Sequence, residues 1–271
     1  MEFIDLKSQY KLVKSDILES INDVLNHGQY IMGPEVKELE SKLAKYVNQR
    51  YCISCSSGTD ALLIALMAMD VCPGDAVFTT PFTYVATVEV ISLLGATPVF
   101  VDIDPKTFNI STDLLEESVL SVIAKKELTP KAIIPVDLFG LPADYRKLNT
   151  ISLKYNLPIV EDGAQGFGGS IDGKKSCSFG HISTTSFFPA KPLGGYGDGG
   201  AIFTNDTKLH NIMKSIRVHG KGIDKYDNIR IGLNGRLDTI QAAVLIQKLS
   251  IFDEELHKKE EIANTYSRLL S

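Results

Sequence analysis

The chain has 271 residues, of which 44% are hydrophobic and 23% charged, and its formal net charge is −5. Such a composition can bury a core in one large domain, and its mild acidity argues against nucleic-acid binding, which needs a basic face. No apolar stretch is long enough to span a bilayer, and the N-terminus lacks the charged-then-apolar order of a signal peptide. We therefore expect a cytoplasmic protein that binds neither nucleic acid nor membrane.

The first predicted element is an amphipathic helix over about 11–26, with Leu12, Ile17, Ile21 and Leu25 on one face. A second helix follows Gly33 and Pro34. After it, short apolar runs alternate with helical patterns. The runs that predict strands are 51–56, 75–80, 97–103, 131–136, 157–162, 182–188 and 199–204. The patterns that predict helices between them are 60–69, 83–95 and 143–156. This alternation indicates an α/β fold whose mainly parallel sheet is covered by helices on both faces.

Two of the four cysteines, Cys52 and Cys55, form a C-x-x-C pattern inside the first apolar run. Neither a second pair nor a nearby histidine accompanies them. The pattern therefore favours small buried strand residues over a redox or zinc site, and we expect no metal.

Ligands of open α/β sheets bind at the carboxyl ends of the strands, so the residues that follow each strand are the candidates for chemistry. Ser57, Gly58 and Thr59 form a small polar turn before a helix that starts near Asp60. Free amides, the helix dipole and two hydroxyls make such a turn an anion site. Simple capping of the helix by serine or threonine explains the turn equally well.

A second strand runs into Asp162, with Gln165 three residues later. A carboxylate at the end of a buried strand is costly to desolvate unless it meets a cation or several donors. A protonated pyridine nitrogen is one such cation. A helix cap or a structural salt bridge is the alternative for Asp162.

A third strand delivers Ser186, and Lys191 follows in a turn rich in proline and glycine. A lysine amine withdrawn from water between apolar strands can attack an aldehyde and form a Schiff base. The glycine-dense run 194–200 precedes a strand rather than a helix, so it does not fit a nicotinamide-binding fingerprint.

The three segments occur in the order SSGT, EDGAQ and SFFPAKPLGGYGDGG. This order resembles the DegT/StrS-type sugar aminotransferases, which are pyridoxal-phosphate (PLP) enzymes of fold type I in the aspartate aminotransferase superfamily. GQYIMGPEVKELE near the start and GLNGRLDTIQAAVL near the end share the resemblance. Within the family, EFIDLK, SCSSGTDAL and LGGYGDGGAIFTND look closest to enzymes that aminate a 3-keto nucleotide sugar.

The resemblance implies a fold-type I large domain with a mainly parallel seven-stranded sheet. It also implies a role for each of several residues around the cofactor. Lys191 matches the Schiff-base lysine, Asp162 the partner of the pyridine nitrogen and Gln165 a residue near the ring hydroxyl. The catalytic residues expected are Lys191 and Asp162.

The phosphate and the ring face have matching positions as well. Gly58, Thr59 and Ser186, with Ser57 beside them, match the phosphate-binding positions. Tyr84 matches an aromatic that stacks on the pyridine ring, although a core aromatic on a helix is the ordinary explanation for such a tyrosine.

Near the end of the chain, Asn234 matches an asparagine that reaches the phosphate of the neighbouring subunit, which implies a homodimer with shared sites. Arg236 is a candidate contact to an acidic sugar substrate. Arg217 and His219 resemble a family loop that we interpret as structural or close to the substrate.

The resemblance further implies that the donor is glutamate, that the acceptor is a keto group on a nucleotide-linked sugar, and that the product enters surface polysaccharide or glycan synthesis. Three alternatives remain. A PLP sugar dehydratase would carry histidine in place of Lys191, and a nicotinamide-dependent oxidoreductase would need a G-x-G-x-x-G after the first strand. The third is a truncated, non-catalytic PLP-binding homologue.

The domain prediction follows from the family's length. Residues 1–250 are expected to form the PLP-binding large domain with an N-terminal helical segment, and 251–271 to start a linker helix toward a C-terminal small domain. We expect that small domain to be truncated. Gly163 stands where many relatives place alanine, a small change that we expect to be tolerated.

Overall fold

The architecture, taken from a computed structural model that describes residues 4–224 and 226–270, alternates helices with short strands. The helices are α1 Leu6–His27, α2 Pro34–Tyr46, α3 Gly58–Ala68, α4 Ala86–Leu93, α5 Thr112–Lys125, α6 Tyr145–Tyr155, α7 Thr207–Ile216, α8 Thr239–Ser250 and α9 Phe252–Leu270. The strands are β1 Tyr51–Cys55, β2 Asp75–Thr79, β3 Thr97–Phe100, β4 Thr129–Ile134, β5 Val160–Asp162, β6 Ser170–Ile171, β7 Lys174–Lys175, β8 Ile182–Ser186 and β9 Gly200–Thr204. All seven predicted strands are present, and the predicted α/β class is confirmed.

The main strands form a four-stranded sheet in the order β1-β9-β8-β5 and a three-stranded sheet in the order β3-β2-β4. Strand β9 is antiparallel to β1 and β8, and the other pairings within these two sheets are parallel. Strands β6 and β7 form a separate antiparallel pair. Two isolated parallel bridges, Ile133 to Ile159 and Val136 to Asp162, join the sheets at β4 and β5. The predicted seven-stranded sheet is thus present as two sheets joined edge to edge by these bridges.

Helices cover both faces of the sheets because alternate strand residues point in opposite directions. In β2, Val77 packs into a core that contains α3, whereas Ala76 and Phe78 pack against residues of α5 and α6. A third core joins α2 and α8 to β9. Strands β5 and β8 contribute Val160 and Ile182 to the first of these cores.

The N-terminal helix differs from its prediction. Asp5 caps α1 by accepting a hydrogen bond of 3.0 Å from the Ser8 amide, so the helix begins before the predicted residue 11. The buried stripe contains Val13, Ile17 and Val24. The predicted face was wrong for two of its four members, because Leu12 is 69% and Leu25 51% exposed.

The described parts of the chain, 4–224 and 226–270, contain no helix that is both long and apolar enough to cross a membrane. Across the same ranges, no group of three or more histidine, cysteine or acidic side chains could hold a metal ion.

Candidate functional site

The polar turn after β1 meets the end of β8. The Ser57 hydroxyl oxygen accepts a hydrogen bond of 3.0 Å from the Asp60 amide, so the capping alternative describes a real contact. Because a hydroxyl can accept and donate at once, the Ser57 O–H group can still donate a hydrogen bond to an anion. A side chain at Gly58 would place its Cβ 2.6 Å from the Cβ of Ser186. Only glycine allows the first turn of α3 to approach the last residue of β8, and this approach brings two predicted phosphate-binding segments together.

Asp162 ends β5 with its side chain buried. Its Oδ2 accepts a hydrogen bond of 2.8 Å from the Thr87 hydroxyl, and its Oδ1 accepts one of 3.2 Å from the Ala164 amide. Burial raises the pKa of the Asp162 carboxyl, while these two hydrogen bonds and the positive charge of Lys191 partly lower it. Within 4–224 and 226–270 Asp162 takes part in no salt bridge, so the predicted salt-bridge alternative is not realised.

The neighbouring carboxylate, Glu161, has a different task. It accepts hydrogen bonds from the amides of Cys177 (2.5 Å), Phe179 (2.7 Å) and Gly180 (3.1 Å) and from the Ser183 hydroxyl (2.7 Å). These donors occupy both oxygens of Glu161. Asp162 is therefore the carboxylate at this strand end that is left to meet a ligand.

Gln165 follows on the same loop and holds a second loop in place. Its Oε1 accepts a hydrogen bond of 3.1 Å from the Phe139 amide. Phe139 has φ +56°, a left-handed conformation that is unusual for a large side chain. Because the oxygen is engaged in this way, the NH₂ group is the polar group of Gln165 left for a ligand, and Gln165 lines the cavity described below.

Lys191 lies in a tight turn between β8 and β9. Its amide donates a hydrogen bond of 2.8 Å to the Phe188 carbonyl, and its side chain is half-buried. Leu193 is buried in the core beside it. A side chain at Gly194 would collide with the backbone carbonyl of Pro189. Glycine at 194 thus allows the turn to close tightly around the lysine.

These segments line one cavity of about 520 Å³. The predicted residues on its wall are Ser57, Gly58, Thr59, Tyr84, Asp162, Gln165, Ser186 and Lys191. A larger cavity of about 830 Å³ lies near the N-termini of α5 and α6, and none of the predicted site residues lines it. The smaller cavity, where the strands end, is therefore the candidate site.

The donor set of this cavity fits pyridoxal phosphate. Hydroxyls and amides at the start of α3 suit a phosphate, a buried carboxylate suits a protonated ring nitrogen, and a half-buried lysine suits an aldehyde. The cavity is also large enough for a cofactor of this size.

Tyr84 is not the core aromatic of the ordinary explanation. It precedes the first residue of α4 and is 67% exposed, and its side chain borders the cavity. An exposed ring at the wall of the cavity is available to stack on a planar ligand.

Two predicted site residues lie away from the wall of this cavity. Asn234 is exposed and pairs with Val218 through an isolated antiparallel bridge. The Nε atom of Arg236 is buried and has no hydrogen-bond partner among the residues that the structure describes. Neither residue lines the cavity of its own chain.

The neighbouring loop residues, Arg217 and His219, have structural contacts. Arg217 is buried and pairs with Glu40 at 2.5 Å, and it also donates to the Ser54 carbonyl at 2.9 Å. The His219 amide donates to the Leu233 carbonyl at 2.8 Å. These contacts agree with the structural interpretation of both residues.

Sequence reasoning missed several residues of the wall, among them Thr83, Thr87, Phe188 and Asp198. Thr87 is the most informative omission, because it bonds directly to Asp162. It lies on α4, which belongs to a different chain segment from β5. The signal that could have found it is a threonine in the first turn of the helix that follows β2.

Comparison with known proteins identifies the family of the chain that forms this cavity. The model of the DegT/DnrJ/EryC1/StrS aminotransferase family matches residues 11–271. The chain is 53% identical over 268 residues to a Pseudomonas aeruginosa protein named UDP-2-acetamido-2-deoxy-3-oxo-D-glucuronate aminotransferase, covering 98% of this chain and 72% of that protein.

Solved structures agree with this assignment. A crystal structure of a DegT DnrJ EryC1 StrS aminotransferase from Brucella abortus superposes with a TM-score of 0.99 at 49% identity, covering 100% of this chain and 72% of that one. NtdA from Bacillus subtilis, solved with bound cofactor PMP, superposes with a TM-score of 0.81 at 33% identity, covering 89% and 53%. On its sequence, its fold and the fit of its cavity to the cofactor, the chain belongs to the DegT/DnrJ/EryC1/StrS family of PLP-dependent aminotransferases.

Proposed function

We propose that this chain transfers an amino group from glutamate to a keto group on a nucleotide-linked sugar, in the synthesis of surface polysaccharide or glycan. The observation that carries the proposal is the single cavity that brings Lys191, Asp162 and the turn at Gly58 together. The Pseudomonas aeruginosa relative is named for a UDP-linked 3-oxo sugar acid, which supports this class of acceptor.

When bound, pyridoxal phosphate supplies an electron sink for the charge that remains when a proton leaves the carbon beside the amine. In the proposal, Lys191 holds the cofactor through its amine and afterwards carries protons between cofactor and substrate carbons. Asp162 keeps the ring nitrogen protonated, since a buried carboxylate is stabilised by a cation. Gln165 directs its amide toward the ring hydroxyl.

The other wall residues bind and orient. Thr59 and Ser186, with Ser57, donate hydrogen bonds to the phosphate at the N-terminus of α3. Gly58 allows the close approach that forms this pocket, and Tyr84 covers the ring face. These roles use every predicted residue on the cavity wall.

The proposal includes a homodimer in which Asn234 and Arg236 serve the partner's cavity. Both residues lie off the wall of their own cavity, and Asn234 is exposed. Asn234 would reach the phosphate, and the guanidinium of Arg236 would meet an acidic group of the sugar. Light scattering tests this part: a monomer that binds PLP with full affinity would contradict it.

Domain boundaries and location complete the proposal. Residues 1–250 form the PLP-binding large domain, and 251–271 begin a linker helix. In support of this boundary, Phe252 is the single buried residue in the described part of α9.

A cytoplasmic location is supported by four unpaired cysteines, which are typical of a reducing compartment.

The activity test measures 2-oxoglutarate released from glutamate in the presence of a UDP-linked 3-keto sugar. The chain should release it, Lys191→Ala should not, and Lys37→Ala, at an exposed lysine of α2, should match the unmodified protein. Release that is unchanged in Lys191→Ala, or absent from the unmodified chain, would overturn the proposed function.

A further inference from the structure

The turn that carries Lys191 is docked on one face of α8. The Gln241 side-chain oxygen accepts a hydrogen bond of 2.9 Å from the Tyr196 amide. Side chains at Gly195 or Gly197 would place a Cβ within 3.0 Å of Gln241, so the turn lies directly on the helix. The helix therefore fixes the backbone of this turn at its midpoint.

Lys248 is seven residues after Gln241, two turns along the same face of α8. It is 2% exposed, and its Nζ is buried without a hydrogen-bond partner among the described residues. The same Nζ lies 5.2 Å from the centroid of the Tyr196 ring. Tyr10 of α1 packs edge-on against that ring, with centroids 6.1 Å apart. The Tyr196 ring is thus held between an ammonium and a second aromatic ring.

The other charged groups near Lys248 come from α9. Burial lowers the pKa of the Lys248 ammonium to about 8, with Lys259 lowering it further and Glu255 raising it. Both oxygens of Glu255 accept from the Gln9 amide group at 2.9 Å. Lys248 also lies in the last turn of α8, where the helix dipole favours a cation. A pKa of about 8 leaves most of the Lys248 amine protonated at pH 7, and its nearest defined contact in the turn is the Tyr196 ring.

A buried ammonium without a hydrogen bond costs free energy that a methionine of similar volume would avoid. The cation offers what a methyl group does not, namely attraction to the face of an aromatic ring. In this pair Lys248 is buried, while Tyr196 is 38% exposed. Tyr196 lies five residues after Lys191 on the same turn.

We propose that Lys248 is a positioning residue, whose ammonium holds the Tyr196 ring and thereby fixes the turn that presents Lys191 to the cavity. The inference rests on the role proposed for Lys191. The residues that act are Lys248 and Tyr196, while Gln241 secures the backbone between them.

Amide hydrogen exchange over residues 191–199, measured in the full chain without PLP, tests the positioning directly. Lys248→Met and Tyr196→Leu each remove one partner of the contact, and we expect exchange in this turn to be about 3- to 30-fold faster in both. Tyr196→Phe keeps the ring and Lys37→Met removes an exposed lysine, so both should match the unmodified chain. The double variant should exchange no faster than either single variant, because the two changes remove the same contact.

With PLP added, the same variants should show a smaller Lys191-dependent visible absorbance band, while the two controls keep the full band. Unchanged exchange in 191–199 for Lys248→Met, or an increase spread evenly over the chain, would overturn the proposal. If Lys248→Met does not fold, Tyr196→Leu decides by the same criterion. Because exchange is measured without cofactor, failure of the role of Lys191 would appear separately, as a band that persists in Lys191→Ala.

Discussion

The Thr87 hydroxyl donates a hydrogen bond of 2.8 Å to Asp162, linking the first turn of α4 to the end of β5. The Thr83 hydroxyl lies 2.9 Å from that of Thr87, and Thr83, Thr87 and Asp162 all line the cavity. This donor is one of two hydrogen bonds that favour the charged form of a carboxyl whose pKa is raised by burial. Thr87 therefore helps to keep Asp162 ionised for the cofactor.

Thr87→Val should remove this donor while keeping the shape of the side chain. The pKa of Asp162 should rise further, and the acid limb of the pH–rate profile should move to higher pH. We expect the rate below neutral pH to fall about 10-fold, since hydrogen bonds to charged groups are the stronger ones. Thr150→Val, at an exposed threonine of α6, is the matched control and should leave the profile unchanged. An unshifted profile in Thr87→Val would show that Asp162 does not depend on it.

Asp162→Asn should stabilise the fold and abolish the activity. Because the pKa of Asp162 is raised in the folded chain, the folded chain retains the proton to higher pH than the unfolded chain does. The free energy of unfolding therefore falls as pH rises through that window, and the variant avoids this loss. Urea unfolding at pH 7 should show a gain of about 0.5–2 kcal/mol that disappears as pH falls toward 4. A less stable variant at pH 7 would contradict the burial argument.

Gly58→Ala should separate α3 from β8, because the new Cβ would lie 2.6 Å from that of Ser186. Overpacking of this kind costs about 1–3 kcal/mol, measurable by urea unfolding, and should weaken PLP binding by more than about 10-fold. Adding Ser186→Gly should restore most of the stability but not the affinity, since a proposed phosphate donor is lost. Normal PLP affinity in Gly58→Ala would show that the turn does not bind the phosphate.

The buried pair Asp137 and Glu161 should respond unequally to neutralisation. Burial and the nearby charge of Glu161 raise the pKa of Asp137 well above its usual range, so its surroundings disfavour the charged form of this carboxyl. Asp137→Asn should cost less than about 1 kcal/mol at pH 7, while Glu161→Gln should cost about 3 kcal/mol because several buried donors lose their acceptor. If both variants lost the same free energy of unfolding in urea, the negative charge would not lie mainly on Glu161, and the prediction would be contradicted.

The pattern of apolar runs was sufficient to predict the strands and the end of the sheet that carries the site, because buried parallel strands have long apolar runs and their carboxyl ends meet. Lys191, Asp162 and Gly58 were selected as candidates in this way, and the three residues line one cavity. Thr87 was not, because its contact joins segments 75 residues apart and leaves no local pattern.

The side-chain packing of α1 and of Gly163 could not be predicted from the sequence either. The stripe of α1 depends on how the helix lies against α8, so Leu12 and Leu25 were assigned to the wrong face. At Gly163, a Cβ would lie 2.5 Å from the Cys177 sulfur, so the space an alanine needs is occupied by a side chain from another segment. That partner could not be read from the residues next to Gly163.

Borohydride reduction followed by peptide mapping tests most directly whether Lys191 bonds covalently to PLP, as we propose. Reduction should leave one pyridoxyl adduct on the peptide that contains Lys191, and no adduct should form in Lys191→Ala. An adduct on another lysine, such as the buried Lys248, or the same adduct yield in Lys191→Ala, would contradict the account.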